Sequence, residues 1–202
     1  MNKKNYISLA NKAANIQINE LKKIKKIFNT SFVNAVDLIL NCKGKVIFAG
    51  IGKSGLIARK ISATFSSVGI PSFFCDPAQA LHGDMGQIER KDILIIFSYS
   101  GNTSELTNML KYANRYRIKI IGVASKPESI LLKASDIKLI LPKVKEADVT
   151  GMVPTSSTTI TLLLGDCLAT TVMYLKNFSK EKFKVFHPCL LYTSPSPRDG
   201  LL

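Results

Sequence analysis

From Gly44 onward the chain repeats one unit: a short, nearly continuous apolar run, a turn bearing glycine or serine, and a helical segment. Val46-Ile47-Phe48-Ala49 leads into Gly50-Ile51-Gly52-Lys53-Ser54-Gly55 and a helix that Gly69 ends. Pro71 to Cys75 reads as a second strand and Ile93 to Phe97 as a third. The third run passes through Ser98-Tyr99-Ser100-Gly101-Asn102-Thr103 into a helix near Glu105 to Asn114, and Lys119 to Val123 and Ile137 to Leu141 complete the set of strands. Near-continuous β-branched runs separated by helices predict a sheet whose strands are parallel and buried on both faces. The expected fold class is therefore α/β, a doubly wound five-stranded parallel sheet flanked by helices, of flavodoxin or Rossmann type. Sheets of this kind bind ligands beyond the carboxyl ends of their strands.

Ahead of this region, apolar residues recur at helical spacing from Tyr6 to about Phe28 (Ile7, Ala10, Ala14, Ile18, Leu21, Ile24, Ile27), which predicts an amphipathic helix. A second helix, capped by Ser31, carries Phe32, Val33, Val36, Leu38 and Leu40 before Gly44 stops it. Residues 1–43 thus read as N-terminal helices packed on a domain spanning 44–188. The last stretch, Cys189 to Leu202, places Pro and Ser at alternating positions without periodicity, and is expected to be a disordered tail foreign to the domain.

Composition narrows the function classes. A chain of 202 residues, 46% hydrophobic and 21% charged, suits one soluble domain and excludes intrinsic disorder over most of its length. The 28 Lys+Arg against 14 Asp+Glu give a formal net charge of +14. Most of these cations are lysines scattered along the chain, the pattern of a solvated face rather than of an Arg-rich nucleic-acid patch. Cys42, Cys75, Cys167 and Cys189 form no C-x-x-C pair and no metal-ligand spacing, so reduced thiols and no metal site are expected. The first residues lack the apolar core of a secretory signal, and the apolar stretch Ile160 to Leu175 is short for a bilayer and carries Asp166. A cytoplasmic protein without a membrane partner is the expectation.

Three turns carry the chemistry. Gly50-x-Gly52-x-x-Gly55 follows a strand and opens a helix, with Asp76 about twenty residues on, the spacing of a dinucleotide fingerprint. An NAD-dependent oxidoreductase is therefore one reading. A Walker A loop is excluded, because Ile47 stands where its first glycine belongs. The second turn favours a different ligand: Ser98, Ser100 and Thr103 flank Gly101 where a helix begins, so hydroxyls, backbone N–H groups and the positive helix end converge as a phosphate monoester requires. The third is Thr155-Ser156-Ser157-Thr158-Thr159, more hydroxyls than a helix cap needs. Near these strand ends lie Lys53, Glu105, Glu146 and the only two histidines, His82 and His187.

Taken in order, Gly50-Ile-Gly-Lys-Ser-Gly55, Ala80-Leu-His-Gly-Asp84, Ser98-Tyr-Ser-Gly-Asn-Thr103, Val144-Lys-Glu-Ala147 and Pro154-Thr-Ser-Ser-Thr-Thr159 resemble the sugar isomerase (SIS) domain of bacterial arabinose 5-phosphate isomerases. The resemblance runs from about residue 8 to Pro188. It implies an aldose–ketose isomerase interconverting D-ribulose 5-phosphate and D-arabinose 5-phosphate through a cis-enediol, a step towards the Kdo sugar of lipopolysaccharide or capsules. It also implies a homotetramer with sites between subunits and no required cofactor. Carried over by position, the catalytic candidates are Lys53, Glu105, Glu146 and His187. The substrate-binding candidates are Gly52, Ser54, His82, Ser98, Ser100, Gly101, Asn102 and Thr103, with Thr155, Ser156, Ser157 and Thr158 closing over the sugar. Members of the family continue past the His-Pro pair with Gly-Gly and usually a pair of CBS (cystathionine-β-synthase-type) domains, where this chain has Cys189 to Leu202.

A carboxylate tuned towards neutral pH would move the proton and a fixed ammonium would stabilise the enediolate. Glu146 is assigned the C1/C2 proton, Lys53 the oxyanion, His187 ring opening or hydroxyl proton transfer, and Glu105 the positioning of hydroxyls or a share of the acid/base work. A non-catalytic sugar-phosphate sensor is the remaining alternative, since SIS domains also serve transcription regulators. The helical lead of about forty residues leaves little room for a DNA-binding domain.

Overall fold

The computed structural model describes residues 3–187. Five strands, β1 (Val46–Gly50), β2 (Ser72–Cys75), β3 (Ile93–Phe97), β4 (Lys119–Ala124) and β5 (Ile137–Ile140), pair in parallel in the order β2-β1-β3-β4-β5. The expected α/β class and strand count hold, with each strand end within one residue of its expected place.

The middle strands are buried along their whole length, as runs without alternation demand. Successive residues of β1 and β3 face opposite layers. Val46, Phe48, Ile93, Ile95 and Phe97 point to one core with Phe65, Ile61, Leu164 and Leu168. Ile47, Ala49, Leu94 and Ile96 point to the other with Leu106, Met109, Leu110 and Leu131. The first layer holds α2 (Thr30–Leu40), α3 (Gly52–Ser67) and α7 (Ser156–Leu175); the second holds α4 (Pro77–Ala80), α5 (Leu106–Arg115) and α6 (Ile130–Ala134). Chain crossovers leave β1 and β3 in opposite directions, so the sheet opens a crevice at their carboxyl ends.

By length and hydropathy α7 could cross a bilayer. Here its Ile160, Leu164, Leu168 and Val172 face lies in the core, and its Asp166 carboxylate takes the Lys60 ammonium of α3 at 2.6 Å. Gly165 permits this close approach: a Cβ there would stand 2.2 Å from Ile61 Cδ1.

The N-terminal region departs from expectation. α1 (Lys3–Leu21) stops early and continues as a 3₁₀ turn, Lys22–Ile27, in which the buried Ile24 and Ile27, three apart, fall on one face. The apolar stripe expected to pack along α1 is only half covered. Leu21, Ile24 and Ile27 are enclosed, but Ala10 and Ala14 are exposed, as are Ile7 (67%) and Ile18 (54%). Asn29 rather than Ser31 caps α2: its side chain accepts the Ser31 N–H at 2.9 Å. Phe178 and the Phe186 of a last helix, α8 (Lys180–Phe186), pack against Gly69 at the end of α3. The expected tail, Cys189 to Leu202, lies outside the described residues.

Candidate functional site

The crevice between β1 and β3 opens into a cavity of about 620 Å³. The turn after β1 and the first turns of α3 contribute Ile51, Lys53, Ser54 and Ile57, and the turn after β3 contributes Ser98, Tyr99, Ser100 and Thr103. The segment after β5 adds Val144 and Glu146, and the start of α7 adds Ser157, Thr158 and Thr161.

Glycines shape the first turn. A Cβ at Gly55 would meet the Gly50 carbonyl oxygen at 2.6 Å, so the spaced glycines let α3 pack directly on the end of β1. Gly52 adopts φ +56°, which turns the chain into the helix and brings Lys53 to the cavity wall. In the second turn, the Ser98 and Thr103 hydroxyls stand 2.8 Å apart, and the Ser98 hydroxyl accepts the Gly101 N–H at 3.1 Å. Gly101 has φ +69° and packs against Ser129, where a Cβ would lie 2.2 Å from the Ser129 hydroxyl. Asn102 faces away: its side-chain oxygen accepts the Ile130 N–H at 3.0 Å. Gly101 and Asn102 therefore shape the turn from behind, while Ser98, Ser100 and Thr103 face the cavity.

Glu146 is tied to the start of α7. One carboxylate oxygen accepts the Thr155 N–H at 2.8 Å, the Thr155 hydroxyl at 2.9 Å and the Ser157 N–H at 3.2 Å. Burial pushes its carboxyl up, but bonds from the Ser157 hydroxyl and from the Thr155 and Ser157 groups outweigh it and hold the carboxyl below the ordinary value. Glu146 is thus a settled carboxylate rather than one tuned towards neutrality. The same bonds occupy Thr155, whose hydroxyl also accepts the Ala147 N–H at 2.8 Å. Ser156 is fully buried with no hydrogen-bond partner for its hydroxyl. Of the four expected sugar-closing hydroxyls, only Ser157 and Thr158 line the cavity. The loop between Glu146 and α7 is organised by Asp148, which accepts the Val153 N–H at 3.1 Å and the Thr150 N–H at 2.9 Å.

Three further expected residues stand apart from the cavity within this chain. Glu105 precedes α5 on the solvent side, where its own N–H and the Ser104 hydroxyl, the latter at 2.8 Å, lower its carboxyl. His82 is exposed in the connection after α4. His187 follows α8, its ring stacked 3.8 Å from that of Phe183. Since α8 packs at Gly69, the 16-residue α3, about 24 Å long, separates this region from Lys53.

One further acid and one thiol resolve in structural terms. Asp76, the fingerprint acid of the dinucleotide reading, caps α4 by accepting the Ala78 N–H at 2.9 Å. Burial, reinforced by Asp84 and Asp76, raises the Cys75 thiol to about 11, which makes it unreactive.

Sequence reasoning passed over Tyr99, although it stands inside the serine motif. Its phenol donates to the Pro142 carbonyl at 3.3 Å and accepts the Val144 N–H at 2.9 Å. Burial raises its pKa, so it remains a phenol.

A doubly wound parallel sheet with hydroxyl-bearing turns and an ammonium lining a cavity at its switch point defines the class of domain. The SIS domain model matches residues 39–171, and the chain belongs to that family. It is 42% identical over 186 residues to arabinose 5-phosphate isomerase KdsD of Francisella tularensis, covering 91% of this chain and 57% of the relative. Against KdsD of Escherichia coli K12 the identity is 41% over 168 residues, 83% of this chain and 51% of the relative. The chain thus spans about half the length of the curated relatives it matches. The E. coli CFT073 protein c3406, solved in complex with arabinose 5-phosphate, superposes with a TM-score of 0.90 at 34% identity, covering 93% of this chain and all of that one.

Proposed function

We propose that the protein interconverts D-ribulose 5-phosphate and D-arabinose 5-phosphate, the activity of the isomerases to which it is related. The observation that carries this reading is the meeting of Lys53, Glu146 and the hydroxyls of Ser54, Ser98, Ser100 and Thr103 on one cavity at the switch point. Hydroxyls and helix N-termini hold the phosphate, leaving C1 and C2 towards Lys53 and Glu146.

From the ketose, the Glu146 carboxylate removes a proton from C1. The electrons form the C1–C2 double bond of a cis-enediolate, and negative charge develops on O2 against the Lys53 ammonium. Return of the proton to C2, with the O1 proton passed to O2, leaves the aldehyde at C1. A carboxylate held below its ordinary pKa is ionised across neutral pH and so ready to accept the proton. Glu105 is assigned to hydroxyl contacts and His82 to substrate binding, both from positions apart from the cavity of their own chain.

His187 is assigned to ring opening in the cavity of a second copy, because within one chain α3 separates the two. The uncovered apolar residues of α1 support a homotetramer whose sites lie between subunits. The product is a phosphorylated precursor of Kdo, and a cytoplasmic setting suits a phosphorylated sugar.

The test is deuterium incorporation at C2 of D-arabinose 5-phosphate in D₂O, followed by NMR with the full chain and its Lys53→Met variant. Exchange and ketose formation by the wild type, reduced at least 100-fold in the variant, are expected. No exchange by the wild type, or equal exchange in both, overturns the assignment.

A further inference from the structure

One cavity-lining side chain of the serine motif is used neither for phosphate binding nor for proton transfer. Tyr99 lies between Ser98 and Ser100, and its backbone is fixed: the carbonyl accepts the Ser125 N–H at 2.8 Å and the Ser125 hydroxyl at 2.7 Å. Its phenol crosses to the chain leaving β5, bridging the Pro142 carbonyl and the Val144 N–H two residues before Glu146.

Sheet pairing of this segment ends at Leu141, whose N–H donates to the Ala124 carbonyl at 2.8 Å. Beyond that point, side chains from three regions of the fold hold residues 142–147 among those described. Lys23 donates to the Lys143 carbonyl at 3.3 Å, Tyr99 grips Pro142 and Val144, and Thr155 binds Ala147 and Glu146. Lys23 leads to the N-terminal helices and Thr155 to α7. Tyr99 alone of the three leads to the phosphate turn. A phenol suits the task because it donates and accepts at once across the gap, and burial keeps it protonated.

We propose that Tyr99 is a positioning residue that couples occupancy of the Ser98–Thr103 turn by a phosphate dianion to the placement of Glu146, so that the phosphate acts as an activator as well as a handle. Binding energy gathered on the non-reacting end of the substrate is thereby used at the reacting carbons. The inference rests on the isomerase reading.

The experiment uses the full chain and its Tyr99→Phe variant on two substrates: D-arabinose 5-phosphate, and unphosphorylated D-arabinose with and without sodium phosphite. Phosphite is expected to accelerate wild-type isomerisation of D-arabinose at least tenfold, and Tyr99→Phe to cut that activation ratio at least fivefold. On the sugar phosphate, kcat should fall about tenfold while KM stays within threefold. An unchanged activation ratio, a loss confined to KM, or no phosphite activation in a wild type that turns over the sugar phosphate would overturn the coupling. A wild type inert on D-arabinose 5-phosphate overturns the isomerase reading and this inference with it. Should Tyr99→Phe melt below the assay temperature, Ser125→Ala, which loosens the Tyr99 carbonyl, must lower the ratio in the same direction or the coupling falls.

Discussion

Glu146 holds two positions at once, on the wall of the cavity and at the start of α7, and its removal should register in stability as well as in turnover. In Glu146→Ala, the Thr155 and Ser157 N–H groups at the head of a 20-residue helix lose their acceptor. Loss of a capping acceptor costs about 0.5–2 kcal/mol, and loss of a negative charge beside the helix N-terminus about 0.3–1 kcal/mol. The sum, about 1–3 kcal/mol, corresponds in a chain of this size to a drop in Tm of about 2–12 °C. Glu146→Gln keeps one acceptor oxygen and should lose only about 1 kcal/mol. The pH dependence follows from the depressed carboxyl. Its folded-state value lies below the ordinary 4.5, so it adds stability that is fully present above 4.5 and is lost as pH falls through the folded value. Thermal melts of the wild type and Glu146→Gln should therefore differ most above pH 4.5 and converge as pH falls through the folded value. A Glu146→Ala variant melting within 1 °C of the wild type at pH 7, or a gap that ignores pH, would refute the capping argument.

Two other substitutions probe separate parts of the molecule. Ser100→Ala, which removes a cavity hydroxyl, should weaken binding of D-arabinose 5-phosphate about tenfold in calorimetry, about 1.4 kcal/mol, with much less effect on D-arabinose; equal losses would reject the phosphate assignment. Gly165→Ala brings a methyl against three atoms of Ile61, and overpacking of about 1–3 kcal/mol should outweigh the gain in helix propensity, lowering the urea midpoint. A variant at least as stable as the wild type would show that α3 and α7 can separate freely.

The strands were legible because fully buried parallel strands need unbroken apolar runs, and Val46–Ala49 and Ile93–Phe97 have nothing else to be. The short helices α4, α6 and α8 were not, since four to seven residues establish no period. The cap of α2 was misplaced by two residues because Asn29 and Ser31 are both good caps, and only the backbone direction chooses between them. At the site, Lys53, Ser98, Ser100 and Thr103 could be found from their turns. Tyr99 could have been found only from the oddity of an aromatic ring between two serines.

What the linear chain dictated was the layering and the three turns, because burial on two faces and the placement of glycines are local requirements that the residue order must satisfy. Which members of those turns face the cavity was a tertiary matter. Consecutive residues entering a helix point about 100° apart, so Ser157 and Thr158 reach the cavity while Ser156 is sealed in the core. Folding likewise separated two acids that look alike on paper: Glu146 is drawn onto the head of α7 by three donors, whereas Glu105 is left facing water. Direction and distance between elements are set by packing, and no local pattern encodes them.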